Sequence, residues 1–130
     1  MARPAHPDRH GDSFIHEARE LLREMHDILH RLRREPENQD LLRQICRAFR
    51  TITALGGMFH YEDLAHYAHA FRQVLERALD REMAVTYELV ALCQASCRLF
   101  DSRLTTPDAS DLRRCATARD ILEEIHAWCP

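Results

Sequence analysis

Nine histidines stand in a chain of 130 residues, and their spacing raises the first chemical question. His26 and His30 lie four apart in "EMHDILH", His66 and His69 lie three apart in "HYAH", and His60 follows two glycines. An imidazole can act as a nucleophile, move a proton near neutral pH or ligate a metal. Spacings of three and four place two such rings on one face of a helix, which suits a metal ion. A di-metal helical bundle, however, uses inward Glu-x-x-His pairs, and neither stretch contains one. On a helical wheel His26, His30 and His66 fall beside or opposite the apolar positions, so no metal site is expected. Cys93 and Cys97 also lie four apart and could suit a metal, but small buried cysteines are the plainer reading.

The basic residues offer a different chemistry. All 18 are arginine. Each is a planar guanidinium that stays protonated and presents five donors, a match for carboxylates and phosphates. Arg43, Arg47 and Arg50 fall at i, i+4 and i+7, which predicts one exposed stripe opposite Ile45 and Ile52. The formal net charge is -3, so nothing in the overall balance argues for nucleic-acid binding.

The elements that must position these groups are all helical. Three glycines and an excess of arginine, leucine, alanine and glutamate favour helix, and no segment alternates as a strand would. Residues 1–12, with two prolines among the first seven, read as a disordered tail, and 13–130 as one helical domain. The first helix is expected over 13–34, capped by Asp12 or Ser13, with Phe14, Ala18, Leu21, Met25, Ile28 and Leu32 inward. Pro36 breaks it. Asn38 caps a second helix over 39–55 with Leu41, Leu42, Ile45, Ala48, Phe49, Ile52 and Leu55 buried, ended by Gly56-Gly57. A third covers 61–81 on Leu64, Tyr67, Ala68, Phe71, Val74, Leu75 and Ala78, and a fourth 84–103 on Val85, Leu89, Leu92, Cys93, Ser96, Leu99 and Phe100. In "TTPDAS", Thr106 can cap and Pro107 can open a fifth helix, which runs to Trp128 on Cys115, Ala118, Leu122 and Ile125. Segments of this length with short connections predict an all-α, up-down antiparallel four-helix bundle with an additional C-terminal helix.

Five cysteines form no CxxC pair, and the polar residues after Met1 contain no apolar run of the kind a secretory leader needs. No stretch approaches the length of a membrane span. A cytoplasmic protein with reduced thiols and no membrane segment is expected.

Residues 14–104 resemble a histidine phosphotransfer (HPt) domain of the kind at the start of chemotaxis-type histidine kinases. The resemblance is carried by "FIHEARELLREMHDIL", by "TYELVALCQASCRLFDSRL" and, most specifically, by "LLRQICRAFRTITALGGMFHYEDLAHYAHAFRQVLE". The last has the spacing of the family's active-site helix, its glycine turn and the following helix. In the family a surface histidine takes the phosphoryl group, a lysine three residues on neutralises phosphoryl charge, and a small glycine lets a receiver domain approach. Kinase-type members often carry His-x-x-Glu on the next helix. Position by position, Arg50 stands at the nucleophile, Thr53 at the lysine and Ala54 at the glycine. His69 keeps the supporting histidine, and Arg72 replaces the glutamate. The scaffold positions Ala48, Ile52, Gly57, Phe59, Leu64 and Leu75 remain.

A guanidinium has no lone pair to offer as a nucleophile at working pH. The resemblance therefore implies a degenerate phosphotransfer domain, non-enzymatic and without a cofactor. Arg43, Arg47, Arg50, Thr53, Ala54, His69 and Arg72 would form its partner-binding face, and Arg72 should come near Arg50. The implied partners are the acidic pocket of a response-regulator receiver domain, or a histidine kinase. Two other readings stand beside it: phosphotransfer through a relocated histidine, His69 or His60, and a structural or metal-binding bundle. The chain can equally be a stand-alone protein or part of a longer kinase.

Overall fold

A computed structural model describes residues 8–106 and 111–128. Five α-helices and one 3-10 turn account for nearly all of them, and no strand occurs among the described residues. The helices are α1 (Asp8–Arg34), α2 (Gln39–Met58), α3 (Glu62–Leu79), α4 (Tyr87–Thr105) and α5 (Ala116–Ala127), with the 3-10 turn at Leu112–Arg114.

Local chemistry sets most of the boundaries. Asn38 opens α2 by accepting from the N–H groups of Asp40 and Leu41, at 3.0 and 3.2 Å. Thr86 does the same for α4, its Oγ1 accepting from Leu89 N–H at 3.1 Å, which is why α4 starts at Tyr87 and not at position 84. Helix α1 begins at Asp8, ahead of the expected position 13, so 8–12 continue the helix; residues 1–7 of the expected tail lie outside the described residues. Glycines 56 and 57 do not end α2, which continues to Met58 before His60 turns the chain with a φ of 65°. Gly56 serves close packing: a Cβ there would sit 3.1 Å from both Ala65 N and Tyr61 O at the start of α3. Thr106 closes α4 instead of opening α5, its N–H bonding to Ser102 O, and Pro107 lies outside the described residues.

The helices pack around one continuous core. Neighbours α1–α2 and α2–α3 pair, and α4 returns along α1. Arg33 near the end of α1 meets Tyr87 at the start of α4, and Arg19 meets Asp101 near its far end, so these two helices are antiparallel. Stacked Phe49 and Phe71, 5.4 Å apart, tie α2 to α3, and Phe100 of α4 meets Phe49 edge-on. Helix α5 lies against both α3 and α4 and buries Ala118, Ile121 and Ile125. Leu122 and Cys115, expected inward, are half-buried.

One expectation about α1 is corrected. Leu22 and Leu29 are the fully inward residues, while Leu21 and Ile28 are half-buried. Helix α1 is wedged between α2 and α4, and its apolar arc is wide enough for either set. The packing turns Leu22 and Leu29 towards α4 and leaves Leu21 and Ile28 at the α2 side. Leu55, Val85 and Leu99 likewise rest half-buried against the core.

Among the described residues one charge is buried. Asp63 is 1% exposed, and its Oδ2 accepts from Arg103 Nε at 2.9 Å and from Leu112 N–H at 2.8 Å. Arg103 also lies over the Tyr61 ring. This carboxylate joins α3, α4 and the 3-10 turn that leads into α5.

Candidate functional site

Helical arithmetic places the arginine stripe where it was expected. Arg43, Arg47 and Arg50 are all exposed on α2, opposite the buried Ile45 and Ile52. The fold then brings Arg72 of α3 to Arg50 through an acid that the sequence reading did not include. Glu76 Oε2 lies 3.2 Å from Arg50 Nη2 and 3.6 Å from Arg72 Nε, so one oxygen is shared by two guanidiniums. The second distance is within ion-pair range but too long for a hydrogen bond, and Arg72 Nε is buried without a hydrogen-bond partner. Glu76 stands four residues after Arg72 on the same helix, and that i, i+4 spacing was the signal that could have found it. A carboxylate is therefore present at this site, one turn beyond the position where Arg72 replaces one.

The other members are arranged unevenly. Arg43 pairs with Asp40 within α2, away from Glu76. Arg47 has no carboxylate partner among the described residues; it borders a groove between α1 and α2 whose floor includes Leu21, Ile28 and Ala48. Thr53 is half-buried, and its hydroxyl donates to Phe49 O at 2.9 Å, so its polar atom is committed to its own helix. Ala54 is exposed on the same face. His69 is half-buried one turn before Arg72, with no hydrogen bond or ion pair to the arginines among the described residues.

Beneath the face lies Cys46, 2% exposed. Burial pushes its thiol above the ordinary range, and the Glu76 carboxylate adds to that, partly offset by Arg50 and Arg72. Cys93 and Cys97 are buried in the core, and desolvation drives both thiols up, Cys97 to about 12. No group of three or more His, Cys, Asp or Glu side chains able to hold a metal is gathered among the described residues. No helix among them is long and apolar enough to cross a membrane.

Electrostatically the face is under-neutralised: among the described residues Arg43, Arg47, Arg50 and Arg72 pair with only Asp40 and Glu76. The Arg50 and Glu76 side chains are 59% and 37% exposed, so their pair contributes at most about 1 kcal/mol to the fold. Exchange of the exposed Arg47 and Arg50 is therefore expected to leave the bundle folded. Spare guanidinium donors on a rigid helical face can receive carboxylate or phosphate oxygens from outside.

Comparison with known proteins finds similarity to parts of chemotaxis proteins. The chain is 33% identical over 79 residues to chemotaxis protein CheA of Listeria monocytogenes, covering 61% of this chain and 13% of that protein. It is 33% identical over 75 residues to CheA of Bacillus subtilis, which is 58% of this chain and 11% of that protein. It is 30% identical over 95 residues to sensor histidine kinase CheAY of Helicobacter pylori, covering 73% of this chain and 12% of that protein. The chain thus spans about an eighth of the length of these relatives. No family model and no solved structure matches it. The all-helical bundle and the similarity to chemotaxis kinases agree with the resemblance to an HPt domain carried by the α2–α3 stretch.

Proposed function

We propose that this chain is an HPt-like signalling module that docks a receiver domain or a histidine kinase on its arginine face and carries no phosphate there. The observation that carries this reading is the sharing of the one Glu76 oxygen by Arg50 and Arg72, with Arg50 at the position the resemblance gives to the nucleophile. Arg50 cannot attack phosphorus, but it can bind what a phosphoacceptor site displays, a cluster of carboxylates. Arg47 and Arg50 lie one turn apart, and Arg72 stands behind them, ion-paired to Glu76. Exposed Ala54 and Gly57 leave room beside them for a partner's backbone. The similarity to CheA and CheAY supports a two-component partner. In this reading the module is not an enzyme: it competes with true phosphotransfer domains or holds a kinase in one state.

The test is a phosphotransfer profile. The purified chain is incubated with autophosphorylated kinases and phosphorylated receivers from its own genome, beside an active phosphotransfer domain as reference. The expected result is acid-labile label on the reference and none on this chain. Label on this chain that disappears in His69→Ala or His60→Ala would refute the reading and assign transfer to that histidine.

A further inference from the structure

A cavity lies on a different side, along α1 and α4, and the proposed docking face does not use it. It is a half-open groove of about 520 Å³. Its floor is apolar, made by the buried Leu22, Leu29 and Cys97. Its walls carry Arg19, Arg23 and Arg98. Arg19 is held by Asp101 at 3.0 Å, and Arg23 pairs with Glu20 on its own helix. Arg98 has no carboxylate partner among the described residues, and its charge reaches the Cys97 thiol at the floor. His26 lines the same side of α1, beside Asp27. From Arg19 to Leu29 the groove follows α1 for roughly 15 Å, enough for about three turns of helix.

The bundle itself displays how such a groove is filled. Helix α5 lies against both α3 and α4 by burying Ala118, Ile121 and Ile125, at i, i+3 and i+7, while Asp120, Glu123 and Glu124 remain exposed. The α1–α4 groove is the adjacent one around α4, and no helix of the described chain lies in it. An apolar stripe would cover the Leu22, Leu29 and Cys97 floor, and carboxylates on either flank would meet Arg23 and Arg98. A basic helix would instead set its charge against those guanidiniums.

We infer that the α1–α4 groove is a second docking site, independent of the arginine face on α2, and that it takes an acidic amphipathic helix of a partner protein. The test is fluorescence anisotropy on the full chain. The probe is a labelled peptide of about 14 residues with a leucine stripe at helical spacing and glutamate flanks. A lysine-flanked peptide with the same stripe and a scrambled acidic peptide serve as controls. The expected result is saturable binding of the acidic peptide alone, weakened about tenfold or more in Arg23→Glu/Arg98→Glu and unchanged in Arg47→Ala/Arg50→Ala. Circular dichroism checks that both variants keep the wild-type helix content. Equal binding of the scrambled peptide, or no loss in Arg23→Glu/Arg98→Glu, would overturn the inference. Loss only in Arg47→Ala/Arg50→Ala would move the acidic helix to the first face and overturn it as well. Binding of decanoate with no binding of the peptide would make the groove a small-ligand site and overturn the helical occupant.

Discussion

Replacing Asp63 with alanine removes the only buried charge among the described residues and leaves two donors stranded. Arg103 Nε, 2.9 Å away, and Leu112 N–H, 2.8 Å away, both point at the lost oxygen. Hydrogen bonds to a charged group contribute about 1.5–3 kcal/mol each, and breaking one side of a buried ion pair costs about 3–5 kcal/mol. The Arg103 side chain is 20% exposed and can turn partly to water, which recovers some of that loss. Leu112 N–H is buried and cannot. The net expectation is a loss of about 3 kcal/mol, or roughly 10 °C in Tm for a domain of this size. Urea unfolding followed by far-UV circular dichroism measures it, with a lower midpoint and an unchanged slope. Asp63→Asn keeps an oxygen for Leu112 N–H and should lose less. In a double-mutant cycle with Arg103→Met, the coupling should exceed about 1 kcal/mol, since the second change removes the stranded guanidinium. A loss below about 1 kcal/mol in Asp63→Ala, with no coupling to Arg103, would refute the latch between α3, α4 and the turn into α5.

Other outcomes follow from the same geometry. Gly56→Ala should destabilise the fold, because its methyl would meet backbone atoms of Tyr61 and Ala65 at 3.1 Å, while Gly57→Ala, which faces open space inside α2, should stabilise it by about 0.5–1 kcal/mol; thermal unfolding of the two variants reads the contrast. A thiol reagent applied to the native protein at pH 8 should leave Cys93 and Cys97 unmodified, since both are buried and the Cys97 thiol is pushed up to about 12; mass spectrometry after denaturing digestion locates the label. Asp111, held down to about 2 chiefly by its Arg113 hydrogen bond, stabilises the folded state at pH above its ordinary value near 3.8, and that contribution is lost as pH falls towards 2. Asp111→Asn should therefore lower stability at neutral pH and converge with the wild type as pH falls towards 2, which flattens the acid limb of a stability-versus-pH curve.

The helices were legible because each carries its own signals. Asn38 marks the start of α2 from the sequence alone, and apolar spacing separates the inward faces of α2 and α3 from the arginines. What escaped was decided by neighbours far along the chain. Gly56 reads as a helix stop, yet its role comes from the close approach of Tyr61 and Ala65. Leu21 and Leu22 are equally apolar, and only the wedge of α1 between α2 and α4 selects Leu22. Asp63 looks like an ordinary acid in a first helical turn; its burial depends on Arg103 and Leu112, which are 40 and 49 residues away. At the candidate site the stripe of Arg43, Arg47 and Arg50 followed from arithmetic on one helix. The i, i+4 spacing could place Glu76 beside Arg72, but its link to Arg50 arises only when α3 packs on α2. The α1–α4 groove was equally hidden, being a property of two helices with α2 and α3 between them in the chain.

The proposed role rests on the arginine face binding an acidic partner, and an affinity measurement reaches it directly. Receiver domains and kinases from the same genome would be titrated against the wild-type chain and against Arg47→Ala/Arg50→Ala at low and physiological salt. Since the exposed Arg50–Glu76 pair adds little to stability, the variant should remain folded. We expect one partner to bind saturably, more weakly as salt rises, and about tenfold or more weakly to the variant. A partner bound equally well by both proteins, with no response to salt, would contradict docking at this face.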